Sequence, residues 1–138
     1  MQEHRNLTHL IVEFFEKMSS WEHCVVRDKG LSLSQMHILE ILGVHQAMRM
    51  KELAERMGVT TGTLTVLVDK LVANGLVQRR PHDTDRRSVL VELTDQGMDL
   101  FHEHHDLHLR LTADITAGLE PGERQALESA LDKMIREF

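Results

Sequence analysis

The most regular apolar pattern in the chain lies in TTGTLTVLVDKLVANG, residues 60–75, where Leu64, Leu67, Val68 and Leu71 recur at i, i+3, i+4 and i+7. That spacing draws one apolar stripe along an α-helix and leaves Thr61, Gly62, Thr63 and Thr65 on the opposite, small and polar face. Thr60 is placed to cap the start of this helix and Gly75 to end it in a left-handed turn. Just upstream, MKELAERMG (50–58) carries Leu53, Ala54 and Met57 at helical spacing and then a glycine. Two short helices joined by such a turn predict a helix-turn-helix whose second helix is free to enter a DNA major groove. Downstream, LVQRR (76–80) and SVLVEL (88–93) read as strands of similar length, with the polar loop PHDTDRR (81–87) between them. They predict a hairpin beside the helix pair, with basic residues at its base and its tip.

The flanks are helical. Residues 3–27 predict a long helix whose stripe, Leu7, Leu10, Ile11, Phe14, Met18, Trp21 and Val25, is longer than one small domain covers. Part of it is therefore expected to meet a second subunit. After a loop at 28–33, residues 34–44 form a second helix with Met36, Ile38, Leu39, Ile41 and Leu42 turned inward. Residues 46–49 are expected to add a short strand to the hairpin. Thr94 caps a helix running to about 116, and Pro121 starts a final helix with Leu127, Leu131, Met134 and Phe138 on one face. No repeat, low-complexity tract or linker interrupts the chain. The expected fold is mainly α with a small β-wing, in one domain over 1–138: residues 31–94 form the core, and 1–30 with 95–138 the dimerisation helices.

Charge sharpens this picture. The chain of 138 residues carries a formal net charge of −6, which argues against an indiscriminate DNA binder. Residues 46–90, however, hold eight Lys/Arg against five Asp/Glu, whereas residues 95–138 hold four against ten. A basic reading head on an acidic body binds phosphate locally and with strong salt dependence. The single cysteine, Cys24, excludes an internal disulfide framework and fits a reducing cytoplasm, the expected location. Tyrosine is absent and aromatics are 4% of residues, so stacking platforms for single strands are not expected. No apolar stretch approaches the ~20 residues that a membrane-spanning helix needs.

The run MKELAERMGVTTGTLTVLVDKLVANGLVQRR followed by DTDRRSVLVELTDQG resembles the multiple-antibiotic-resistance regulator (MarR) family of winged-helix repressors. The flanking helices extend the likeness to nearly the whole chain. The resemblance implies a homodimer, interleaved through its terminal helices, that reads a pseudo-palindromic double-stranded operator with two recognition helices about one DNA turn apart. Thr61, Thr63 and Thr65 are then the expected contacts, with Gly62 allowing close approach and Lys70 a phosphate candidate. Val66 stands where many members carry a basic residue, which weakens any guess of a guanine contact. In the wing, Arg87 matches the family position that enters the minor groove, and Asp85 matches the acid that holds it. Arg86 is a further phosphate candidate, and Arg79 and Arg80 lie at the wing's base.

FHEHHDLH (101–108) is the one unusual stretch. His104 and His108 stand at i, i+4, and His102 and His105 at i, i+3, spacings that bring imidazoles within reach of one ion. The pattern is similar to the zinc-sensing subgroup of the same family. That likeness implies His37, His104 and His108 as ligands with a first-helix glutamate, which Glu16 and Glu22 bracket, and it matches Glu103 to a second site. Met36 occupies a place where that second site has a carboxylate. The subgroup that regulates fatty-acid synthesis also resembles the chain, through Met36-His37 and the same histidine spacing, so an acyl or other small-molecule effector stays open beside zinc. So does a set of merely solvated histidines. An oxidant acting at Cys24 is disfavoured, because only Glu22, His23 and Arg27 lie near it in sequence. The competing class is a zinc hydrolase built on 102–108, but HEHH is not the H-E-x-x-H of metalloproteases. A DNA-free interaction module is opposed by the basic reading head. The chain is thus expected to be a ligand-modulated regulator and not an enzyme.

Overall fold

The computed structural model describes residues 2–138. Among them the order is α1 (Gln2–Arg27), α2 (Leu33–His45), β1 (Met48–Arg49), α3 (Met50–Met57), α4 (Thr61–Ala73), β2 (Val77–Pro81), β3 (Val89–Leu93), α5 (Asp95–Thr116) and α6 (Pro121–Ile135). The chain divides into two compact units, Met1–Phe101 and His102–Phe138, with the boundary inside α5. Among the described residues no helix is long and apolar enough to cross a membrane.

In the first unit α2 is the centre of the core. It opens on a reciprocal capping box: Ser32 Oγ accepts from the Gln35 N–H at 3.1 Å, and the Gln35 side chain accepts from the Ser32 N–H at 3.0 Å. Apolar on most of its circumference, it buries Met36, Ile38, Leu39, Ile41 and Leu42. Leu53 and Ala54 of α3 and Leu64, Val68 and Leu71 of α4 complete the same cluster, together with Val77 and Val91 of the sheet. At the end of α2, Gln46 takes φ +65°, a left-handed conformation that costs a side-chain-bearing residue about 1–3 kcal/mol. It turns the chain toward β1.

The sheet is antiparallel in the order β1–β3–β2, with Met48 opposite Val91, Val77 opposite Leu93 and Arg80 opposite Leu90. Both hairpin strands start one residue later than the apolar runs predict, and hydrogen bonding explains why. The Leu76 N–H is taken by the Leu71 carbonyl at 3.0 Å, closing the end of α4 around Gly75 at φ +74°. The Ser88 N–H closes the loop on the Asp85 carbonyl at 3.1 Å. Likewise β1 is confined to two residues of the expected 46–49, because Gln46 is the C-cap of α2.

Thr94 joins wing to α5. Its Oγ1 donates to the Gly75 carbonyl at 2.6 Å and accepts from the Gly97 N–H at 3.0 Å, while its own N–H bonds the Leu76 carbonyl at 3.1 Å. Gly97 passes so close to this segment that a Cβ there would overlap the Leu76 carbonyl oxygen.

The long stripe of α1 divides along its length. Val26 is buried and Met18, Trp21 and Val25 are half-buried, but Leu7, Leu10 and Phe14 are each more than half exposed. In the second unit α6 begins at Pro121 behind a Glu120–Glu123 capping box, the Glu120 N–H donating to Glu123 Oε1 at 3.0 Å. It buries no residue, and Leu127, Leu131, Met134 and Phe138 are exposed.

Candidate nucleic-acid interface and effector site

The turn between α3 and α4 is built from local chemistry. Gly58 is left-handed at φ +67° and donates to the carbonyls of Ala54 and Glu55. Thr60 Oγ1 then accepts from the Thr63 N–H at 3.2 Å and donates to Thr63 Oγ1 at 3.1 Å, capping α4. Leu64, Val68 and Leu71 have no exposed surface, so the opposite face is turned outward by default. Thr61, Gly62, Thr63, Thr65, Val66 and Lys70 are all exposed on it. The Thr65 hydroxyl donates to the Thr61 carbonyl at 2.8 Å, so its oxygen faces outward partners as an acceptor.

The wing sorts its arginines into two groups. Arg79 pairs with Asp69 of α4 at 2.6 Å, tying the hairpin to the helix. Arg80 bonds Glu92 across the strands at 2.9 Å and Asp83 at 3.2 Å. The Arg80 bond comes first among the causes that hold the Glu92 carboxyl below the usual range. These two side chains are committed to carboxylates of α4, of β3 and of the loop, and do not share the availability of those at the tip. Arg86 and Arg87 are exposed, and among the described residues their guanidinium groups make no hydrogen bond or ion pair. The backbone beneath them is nonetheless anchored. Asp85 Oδ1 accepts from the Arg87 N–H and Oδ2 from the Ser88 hydroxyl, both at 3.0 Å. Those two bonds, with the Arg49 guanidinium 3.8 Å away, hold the Asp85 carboxyl below the usual carboxylate range.

Ligating side chains also gather in each of the two units. In the first unit Phe15, Met18, Ser19, Glu22, Leu33, His37 and Glu40 line a cavity of about 310 Å³. Burial, and then the Glu22 charge, push the Glu40 carboxyl up to about 7. In the second unit His104 and His108 approach Nε2 to Nε2 at 3.1 Å, with their rings edge to face, and His104 has no exposed surface.

A family model described as the MarR family matches residues 31–89. An HTH-type transcriptional regulator of Mycobacterium tuberculosis (strain CDC 1551 / Oshkosh) is 34% identical over 105 residues, which cover 76% of this chain and 73% of that protein. The chain belongs to the MarR family. The HTH-type regulator YfiV of Bacillus subtilis (strain 168) is 34% identical over 107 residues, 77% of this chain and 66% of YfiV. The fold is that of solved MarR-family structures: the crystal structure of Streptococcus pneumoniae FabT in complex with DNA superposes with a TM-score of 0.86 at 21% identity, covering 96% of this chain and 95% of FabT. This MarR-family chain is accordingly a DNA-binding transcriptional regulator of the HTH type and not an enzyme.

Of the metal ligands expected from the MarR-family resemblance, His104 and His108 meet within the second unit, and Glu22 and His37 line one cavity in the first. Glu16 is exposed and not among the residues that line it. Glu40, on the same cavity wall, is the carboxylate that sequence reasoning missed. Its signal was present as the lone carboxylate in the apolar run HILEILG, three residues and one helical turn beyond His37. Glu103, His102 and His105 are exposed. Cys24 is also exposed, with Arg27 Nη2 at 3.9 Å from its sulfur.

Glu40 makes the stability of the metal-free protein depend on pH. The folded chain keeps this proton up to about pH 7, whereas the model value for an unperturbed glutamate is 4.5. Its contribution to stability is therefore complete below about 4.5 and is lost as pH rises through about 7. With Glu40 partly solvated, the loss is of order 1 kcal/mol. Urea denaturation in chelator at both ends of this window should show it, and Glu40→Gln should flatten the profile. An unchanged profile in that variant would remove the group from the account.

Proposed function

We propose that the chain is a homodimeric repressor that grips a pseudo-palindromic operator with α4 in the major groove and the wing arginines against the minor groove. A divalent cation of the zinc class would set its affinity. The observation that carries the DNA reading is the division of labour among the wing arginines. Arg79 and Arg80 are spent on internal carboxylates, while Arg86 and Arg87 are held out on a loop that Asp85 anchors. Thr61, Gly62, Thr63 and Thr65 are the proposed groove-facing residues of α4, with Lys70 at the backbone. The exposed apolar stripes on α1 and on α6 support a second copy of the chain as the partner, since isolated large apolar faces rarely stay in water.

The donor chemistry supports the effector. Paired imidazoles suit Zn²⁺. Two ligands at the usual Zn–N distance in a tetrahedral site stand roughly 3.3 Å apart, which the 3.1 Å approach of His104 and His108 matches. The ion would supply a fixed charge that favours one dimer geometry over another. A second reading is an aromatic or acyl ligand, favoured by Phe15, Met18 and Leu33 in the cavity wall of the first unit. Elemental analysis of the purified, untagged protein, with a zinc titration of DNA affinity, separates the two. Near-stoichiometric zinc that shifts affinity, and is lost in His104→Ala and His108→Ala, is the expected result. Absence of zinc and of any response to it would leave the cavity as the effector site.

A further inference from the structure

The loop that presents Arg87 hangs on a histidine. The His82 Nδ1 accepts from the Thr84 N–H at 3.2 Å and from the Asp85 N–H at 3.1 Å. Its own backbone N–H donates to the Ser88 carbonyl at 3.1 Å, across the neck of the loop. Asp85 repeats the device one step on, its carboxylate accepting the Arg87 N–H. The two side chains form a relay: His82 fixes the amide of Asp85, and Asp85 fixes the amide of Arg87. On the far side of the ring, Arg49 Nη2 stands 3.3 Å from Nε2 and 3.8 Å from Asp85 Oδ2, reaching both members of the relay from β1.

This arrangement specifies a protonation state. Both ring nitrogens face donors: two backbone N–H groups meet Nδ1, and Arg49 Nη2, which can only donate, meets Nε2. A neutral ring has one bare nitrogen, and the two backbone bonds assign it to Nδ1, with the hydrogen on Nε2 turned against Arg49. A second proton would go to Nδ1, which would convert the acceptor into a donor facing two backbone donors, with the Thr84 hydroxyl 3.3 Å away as the group there able to accept. The same proton would place an imidazolium beside the Arg49 guanidinium. The facing group that would welcome it is the carboxylate of Asp85, which the ring already influences.

We propose that His82 is the positioning residue of the wing. Its neutral imidazole holds the loop that presents Arg87, so the DNA affinity of this chain falls when that ring takes a proton. The inference rests on the wing contact proposed above, and the experiment keeps the two apart. Binding is measured by fluorescence anisotropy on a duplex that the wild-type protein selects from a random pool, at constant ionic strength, at about pH 8 and about pH 5.5, which bracket ordinary histidine titration. Asparagine can accept the same two N–H bonds and does not titrate, so His82→Asn is the reference against which the other nine histidines cancel.

At the higher pH His82→Ala should bind about tenfold more weakly, the scale of two lost hydrogen bonds, and His82→Asn should stay within about twofold of wild type. The ratio of wild-type to His82→Asn affinity should fall about fivefold on acidification, from the loss of the same bonds. Parallel pH profiles for the two, or undiminished binding by His82→Ala, would overturn the proposal. Should His82→Ala fail to fold by circular dichroism, the wild-type to His82→Asn ratio decides alone. Arg87→Ala locates any failure: loss there with unaffected His82 variants condemns only the histidine, whereas no loss there condemns the wing contact itself.

Discussion

Arg87→Ala is expected to weaken operator binding by about 100-fold, because each arginine contact to the grooves is worth about 1–3 kcal/mol and the proposed dimer would lose two. The loss should appear on DNA alone, without a change in melting temperature. The guanidinium is exposed and among the described residues makes no hydrogen bond or ion pair, so its removal breaks none of those. Gel-shift titrations at several salt concentrations would separate it from Arg86→Ala, which as a phosphate contact should cost less and mainly flatten the salt dependence. Binding by Arg87→Ala at wild-type strength would refute the wing assignment. Arg80→Ala offers the contrasting pattern. It should destabilise the hairpin by leaving Glu92 without its principal partner, and it should affect DNA only through that loosening.

Gly97→Ala should be the most damaging small substitution in the chain. The added methyl would meet the Leu76 carbonyl oxygen, which belongs to the backbone and already accepts the Thr94 N–H. No flexible side-chain end can yield there. Either α5 withdraws from the base of the wing or the Thr94 bonds to Gly75 and Gly97 break. Overpacking together with a compromised hydrogen bond at Thr94 puts the loss at about 3 kcal/mol or more, or roughly 10 °C in Tm for a chain of this size. Gly122→Ala is the control, since a Cβ at that position meets nothing within 4 Å. Thermal melts of the two variants beside wild type would check this, and equal melting would show that the seam at residues 75–97 can relax.

The two variants test different kinds of information. Arg87 was identified from a linear motif, and the structure supplies the reason its neighbours differ from it. Arg79 and Arg80 read in sequence as equally basic and equally placed at the wing's base. Only the approach of Asp69 from α4 and Glu92 from β3 shows them to be internally committed. Gly97 carried no signal beyond its place in the first turn of a helix, because what forbids a side chain there is a carbonyl 21 residues earlier in the chain.

Local periodicity and capping sufficed for the elements. The stripe of Leu64, Val68 and Leu71, the Thr60 cap and the left-handed Gly58 and Gly75 depend on residues within one or two helical turns of each other. The one-residue shifts at the strand starts arose where a helix end or loop claimed an N–H first. The unequal charge of reading head and body was likewise visible by counting. The sequence by itself therefore determined the helix-turn-helix, the wing and the face of α4 turned outward. Tertiary structure alone decided which arginines stay available, that Glu40 shares a cavity wall with Glu22 and His37, and that His82 bonds the amides of the Arg87 loop. Those outcomes turn on hydrogen bonds and burial a few ångströms in reach, between segments whose meeting no local pattern encodes.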